Sequence, residues 1–197
     1  MFASCFSRVL TVAGLLALAG CASAPRHIND VCAVFEQNDG WFNDWQRTAY
    51  RTEKKYGIPV HVLMATVRKE SGFKKNARPP RKWYFGFIPG KRASSAYGYS
   101  QALNGTWAQY VAESGNFGAR RASFADALDF VGWYHSKTVA KYGVAPDDTF
   151  SLYLAYYSGW TSYGRGGWRG NTSLQKYARD TDDMARTYQR QLQTCGS

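Results

Sequence analysis

One carboxylate in this chain sits where a carboxylate is costly. Glu70 shares a helical face with Val62, Leu63, Thr66 and Val67, so the spacing places its side chain on a buried stripe. The C-terminal end of a helix is the negative end of its macrodipole, and burial further disfavours charge; both effects raise a carboxyl pKa. A carboxyl that stays protonated near neutral pH can act as a general acid. The alternative for Glu70 taken alone is an ion pair with Arg68, Lys69 or a later basic residue, the commoner use of a Glu at a helix end. Other acidic residues, Asp126, Asp129, Asp147 and Asp148, have simpler explanations as helix caps or helix surface. His27, His61 and His135 are scattered, and no Cys or His cluster has metal-ligand spacing, so each histidine reads as a surface or core residue and no metal or organic cofactor is implied.

The elements that must position Glu70 are helices. Phe42, Trp45, Ala49, Thr52 and Tyr56 recur at steps of three and four and Gly57 stops the run, which predicts an amphipathic helix. Pro59 restarts a helix at its first turn, the one carrying Glu70. Ser123 with Asp126 predicts a capping box ahead of Phe124, Leu128, Val131, His135 and Val139, closed by Gly143. Asp147 and Asp148 can cap an apolar helix ending near Tyr157. Leu174, Tyr177, Thr181, Met184, Tyr188 and Leu192 form the last periodic run. No segment shows sustained strand alternation with hairpin turns, so the fold class is mainly α.

Two stretches between these helices differ in character. Residues 76 to 97 carry Trp83, Tyr84, Phe85 and Phe87 among prolines and five basic side chains, and residues 158 to 171 are rich in Gly, Trp, Tyr and Arg. Both read as aromatic, basic loops. Any single aromatic among them is more simply a packed side chain, whereas as a set they suit a sugar-binding cleft, with rings stacking on pyranose faces and cations meeting carboxylates.

The chain has 197 residues, enough for one domain with a real core. Its 25 Lys and Arg against 14 Asp and Glu give a formal charge of +11, while 45% hydrophobic and 16% aromatic residues exclude a disordered basic tail. Arg8 precedes an apolar run, Val9 to Ala19, too short to span a bilayer as a helix but suited to a secretory signal. It ends in Leu18-Ala19-Gly20-Cys21, which resembles the bacterial lipobox. That resemblance implies a signal peptide over 1–20, a lipidated Cys21 with a short tether over 21–27, and a folded domain over 28–197. The alternative is an ordinary signal peptide cut at Ala22-Ser23-Ala24. Ala22, by resemblance to sorted lipoproteins, implies anchoring to the outer membrane on its periplasmic side. Export makes nucleic acid an unexpected partner despite the charge. Cys5 leaves with the signal and Cys21 carries lipid, so Cys32 and Cys195 remain as one pair in an oxidising compartment, where a disulfide is expected.

Four motifs then resemble those of the lytic transglycosylases with a lysozyme-like SLT-type fold. Tyr56-Gly57-Ile58-Pro59 followed by Met64 to Phe73, with its Glu70-Ser71, resembles their first motif, whose Glu is the sole catalytic acid. Ala96-Tyr97-Gly98-Tyr99-Ser100-Gln101 is similar to their Gly-Leu-Met-Gln, which brings a Gln to the sugar site. Ala155-Tyr156-Tyr157 is similar to their Ala-Tyr-Asn, whose Tyr lies beside the Glu, and Tyr177 matches a further cleft tyrosine on the final helix. The order and rough spacing agree over residues 56 to 190. The chain departs from the pattern in three places: Tyr157 stands for the Asn, Pro79 for a Ser nine residues after the Glu, and an aromatic insertion separates Glu70 from Gln101. Ser94 or Ser95 is the candidate substitute for that Ser.

The resemblance implies a single-domain, divergent lipoprotein transglycosylase acting on peptidoglycan glycan strands without a cofactor. Glu70 and Tyr156 would be its catalytic residues, and Ser71, Gln101, Tyr157 and Tyr177 would bind substrate. Glu70 would protonate the oxygen between MurNAc and GlcNAc, then take the C6 hydroxyl proton to leave a 1,6-anhydro end. Two alternatives use the same sequence features: a hydrolytic muramidase with the same Glu70, and an inactive peptidoglycan-binding scaffold.

Overall fold

The computed structural model describes residues 24–38 and 44–195. The apolar run Val9 to Ala19, Cys5, Cys21 and Phe42 lie outside the described residues.

Helices dominate, and most of their boundaries have a local cause. Helix α1 (Val31–Gln37) starts where the Asp30 carboxylate accepts from the backbone amides of Cys32 and Ala33. Helix α2 (Trp45–Tyr56) is capped by Asp44 and stopped by Gly57 at φ 70°. Pro59 occupies the N-cap of α3 (Val60–Ser71), one position earlier than the first-turn site its sequence suggests. Gly72, at φ 56°, ends that helix. A hairpin of β1 (Arg81–Tyr84) and β2 (Ile88–Arg92) follows, then α4 (Asn104–Ser114), α5 (Phe124–Tyr142), α6 (Thr149–Ser158), the short α7 (Trp160–Gly164) and α8 (Thr172–Cys195).

Two details correct the sequence expectation. Ser123 accepts from the Asp126 amide, but the Asp126 carboxylate turns to the Arg120 amide and to Asn116, so only half of the capping box forms. The hairpin itself was not anticipated. Every residue from Arg81 to Pro89 is exposed, and no residue of either strand is buried, so no alternation of apolar and polar residues marks the strands in the sequence.

Helix α3 is the centre of the molecule. Val60 and the six residues from Val62 to Val67 are all buried, a wider contact than the single stripe expected from periodicity. Helices α2, α5 and α8 pack around it, and α8 also covers α6 and α1. Two aromatic groups fill the remaining space. Trp45 stacks on Phe124 with centroids 3.8 Å apart, with Tyr99 edge-on at 5.6 Å. On the other side Phe130, Trp133, Tyr134, Tyr156 and Trp160 form a continuous set of ring contacts.

Asp129 ties three helices together. Its carboxylate accepts from Lys55 Nζ at 2.7 Å, from the Tyr56 hydroxyl at 2.9 Å and from the Tyr110 hydroxyl at 2.8 Å. Asp148 caps α6 by accepting from the Ser151 amide. These carboxylates are structural, as their sequence positions suggested. At the termini of the folded body Cys32 and Cys195 are bonded, with Cα atoms 5.9 Å apart. Closing so long a loop stabilises the folded chain by about 5 kcal/mol in the chain-entropy account.

Candidate active site

Glu70 lies on the last turn of α3 at the floor of a cavity of about 700 Å³. Its walls come from four places in the chain. Ser94, Ala96 and the stretch Gln101 to Leu103 form one side, Phe130 and Tyr134 of α5 another. Tyr153, Tyr156, Tyr157 and Ser158 of α6 form a third, and Lys69 and Tyr177 complete the rim. Among these lining residues Glu70 is the only acid.

Glu70 is half-buried, with its Oε1 buried and without a hydrogen-bond partner among the described residues. Burial pushes its pKa up to about 7, against the smaller lowering effects of the Tyr153 hydroxyl and the Lys69 cation. The acid is therefore substantially protonated at neutral pH, the state a proton donor needs. The cation that lies next to it in sequence is engaged elsewhere. Lys69 Nζ is 3.3 Å from Asp180 and lies 4.5 Å above the Tyr177 ring, so the bland alternative of a structural ion pair for Glu70 does not hold here.

The tyrosine that acts on Glu70 through its hydroxyl is Tyr153, one turn before the tyrosine expected from the sequence. Tyr156 donates its hydroxyl proton to the Ser100 carbonyl oxygen at 2.6 Å. It stays near the acid, and burial and the Glu70 charge both push its own pKa well up. Its hydrogen bond, however, serves the loop rather than the carboxyl. Tyr153 was not singled out in the sequence because it stands among Leu152, Leu154 and Ala155, all buried, and reads as core. Its signal was spacing, since position 153 precedes Tyr157 by four and shares its helix face.

Gln101 reaches the cavity on a tightly held loop. Its backbone adopts φ 50°, a left-handed conformation that a non-glycine residue adopts at a cost in stability. Its amide nitrogen donates to the carbonyls of Ala77 and Gly98 at 2.9 and 2.8 Å, which leaves Oε1 as the group that can accept from a ligand. Gly98, at φ 77°, lies so close to Arg121 that a Cβ there would stand 2.0 Å from the Arg121 carbonyl oxygen. The Arg121 guanidinium braces the same loop from outside by donating to the carbonyls of Ser95 and Ala102 and to Asn104 Oδ1. Nothing in the sequence pointed to Arg121.

The other expected residues separate. Tyr157 and Tyr177 are exposed at the cavity rim with ring centroids 6.4 Å apart. Each serine hydroxyl accepts from a backbone amide, Ser94 from Ala96 and Ser95 from Asn104, but only Ser94 lines the cavity, so Ser94 is the serine placed to face a ligand. Ser71 does not line the cavity; it is buried and donates to the Val67 carbonyl one turn back in its own helix. The aromatics of the hairpin also fall outside the cavity walls, a correction to their assignment to a sugar cleft.

Beneath the site is one fully buried histidine. Thr66 donates its hydroxyl to the Val62 carbonyl, so at 3.0 Å it must accept from His135 Nε2. The imidazole is thereby fixed as the neutral Nε2–H tautomer, with Nδ1 unpartnered, and burial pushes its pKa down to about 3. His135 is a core residue. No group of three or more His, Cys, Asp or Glu among the described residues is arranged to hold a metal ion.

Comparison with known proteins gives one clear result. The family model described as transglycosylase SLT domain matches residues 9–195. No curated protein and no solved structure matches the chain.

Proposed function

The chain belongs to the transglycosylase SLT domain family, and from that premise we propose that it is a lytic transglycosylase that cleaves the β-1,4 bond between MurNAc and GlcNAc in peptidoglycan. The lysozyme-like, mainly α fold presents the cavity around Glu70. The observation that carries the reading is that Glu70 is the single acid lining that cavity, where burial raises its pKa.

A glycosidase working by direct inversion or through a glycosyl-enzyme intermediate normally needs a second carboxylate. A transglycosylase supplies the missing parts from its substrate. Glu70 donates its proton to the glycosidic oxygen as that bond breaks, and the substrate's own N-acetyl group stabilises the developing positive charge. The carboxylate left behind then takes the proton of the C6 hydroxyl, whose oxygen closes on C1. Proton and charge balance with no water consumed, and one catalytic group serves as acid and then base.

The remaining wall residues bind and align. Gln101 Oε1 and Ser94 supply polar contacts, and Tyr157 and Tyr177 offer rings to pyranose faces. Tyr153 lines the cavity with the proton donor, and its hydroxyl lowers the pKa of that carboxyl. Tyr156 is a positioning residue in this account, acting through Ser100 on the Gln101 loop.

Glu70→Gln keeps the shape of the side chain and removes the transferable proton. Purified sacculi treated with wild-type protein should release soluble fragments, and the variant should release them at less than about a thousandth of that rate. Comparable release by the variant would overturn the reading, and no release by either protein would favour a binding scaffold.

The same proposal includes an export signal and a lipid on Cys21, which would hold the domain at the periplasmic face of the outer membrane. Cys21→Ser should release the protein into the soluble periplasmic fraction or leave it uncleaved; a mature-sized protein still in the membrane fraction would contradict it.

A further inference from the structure

The β1–β2 hairpin stands apart from the cavity and from the core. Among the described residues no helix packs extensively against it, yet it carries four exposed aromatic side chains, among them the most exposed aromatic of the described residues. Phe85 is 88% and Phe87 72% exposed, and Trp83, Tyr84 and Ile88 are exposed with them.

The turn gives these side chains their direction. Phe87 N–H donates to the Tyr84 carbonyl at 3.3 Å across Phe85 and Gly86, which have φ 52° and 79°, the signs of a type I′ hairpin turn. Asn or Asp is the residue that takes the first of these positions easily. A phenylalanine there destabilises the turn, and it is matched by no buried contact. The fold accepts that cost and obtains an apolar tip in solvent.

Charge surrounds the tip on one sign only. From Ser71 to Ala112 the chain holds seven Lys and Arg and no Asp or Glu. Among the described residues none of the seven forms an ion pair with a carboxylate. Four of them, Arg81, Lys82, Lys91 and Arg92, lie on the two strands, with Arg81 directly opposite Arg92 in the register. Like charges directly opposite one another weaken a strand pair, so this arrangement too is unexplained by the hairpin's own stability.

An apolar aromatic tip with Trp and Tyr behind it and a collar of unpaired cations matches the layers of an anionic bilayer surface: acyl chains, interface and headgroup phosphates. A glycan strand fits less well. Both faces of the hairpin are exposed, so the rings form a convex projection rather than a walled groove, and none of them lines the cavity around Glu70. We propose that the 81–92 hairpin is a membrane-docking element that inserts Phe85 and Phe87 into an anionic phospholipid leaflet. Only Ala93 separates it from Ser94 at the cavity wall, so docking would set the cleft beside the membrane. This inference is independent of the reaction proposed above and of any lipid on Cys21.

The test uses unlipidated chain from Ala22 onward, which keeps every described element, and vesicle flotation. Vesicles of phosphatidylcholine containing phosphatidylglycerol should carry the protein, pure phosphatidylcholine should carry little, and added salt should weaken the binding. Phe85→Ser with Phe87→Ser should weaken it at least about tenfold, and Arg81→Gln, Lys82→Gln and Lys91→Gln together on the order of a hundredfold at low salt. Unchanged unfolding temperatures would show that both variants fold. Equal vesicle binding by wild type and variants, or none by wild type, would overturn the proposal. So would binding to purified sacculi that falls in the variants while vesicle binding is absent, which would make the hairpin a glycan-binding element.

Discussion

The hydroxyl of Tyr156 donates to the carbonyl oxygen of Ser100 at 2.6 Å across 56 residues of sequence. That one bond joins helix α6 to the loop bearing Gln101, so two motifs that look independent in the sequence form one wall of the cavity.

Removing that bond should disturb both at once. Tyr156→Phe leaves the Ser100 carbonyl short of a partner and should cost about 1 to 3 kcal/mol of stability, visible as a fall in melting temperature of several degrees. Turnover should fall roughly tenfold as Gln101 shifts. A variant with wild-type melting temperature and rate would show that the bond positions nothing.

The alkaline limb of the rate should belong to Glu70. The proton donor must be protonated in the free enzyme, so kcat/KM should decline as pH rises through about 7. The Tyr153 hydroxyl lowers the pKa of that carboxyl; Tyr153→Phe should therefore move the limb to higher pH while reducing the rate. Tyr156→Phe should leave the limb in place. A limb that moves down in Tyr153→Phe, or moves equally in both variants, would remove Tyr153 from its role.

Glu70 should also make the fold less stable at neutral pH. Its folded pKa of about 7 lies above the ordinary value of 4.5, so the unfolded chain releases this proton first. The penalty is absent below the unfolded value, grows as pH rises between the two, and is constant above the folded one, reaching about 3 kcal/mol. Glu70→Gln should accordingly melt higher than wild type at pH 8 and gain much less at pH 4. Equal gains at both pH values would contradict a raised pKa.

Gly98 is fixed by its neighbours. A methyl group would meet the Arg121 backbone at a positive φ, so Gly98→Ala should cost at least about 2 kcal/mol and impair turnover through the Gln101 loop. Thermal unfolding followed by circular dichroism measures this, and an unchanged transition would show that the loop can give way.

How far the sequence revealed this arrangement depends on what each residue does. Helix α3 and the placement of Glu70 followed from apolar spacing, and Gly57, Gly143 and Asp148 marked helix ends, because caps and periodicity are local. Helix α4, with Tyr110 as its one buried residue, gave no such pattern and was not anticipated. The division of labour between Tyr153 and Tyr156 was not legible either, since both sit on one apolar helix and only the packing of α6 against Ser100 and Glu70 separates them. Ser71 followed the family motif into a role that its bond to Val67 does not support. Arg121 and the hairpin were invisible for opposite reasons: one acts through carbonyls far away in sequence, and the other has no buried face to leave a pattern.

The most direct test of the account is the fate of oxygen. Sacculi digested by the wild-type protein in water enriched in heavy oxygen should yield 1,6-anhydro-MurNAc ends that carry no label and are lighter by one water than hydrolytic ends, because the C6 hydroxyl replaces water as the nucleophile. Labelled reducing ends formed in proportion to cleavage would show that Glu70 activates water, and the protein would then be a muramidase.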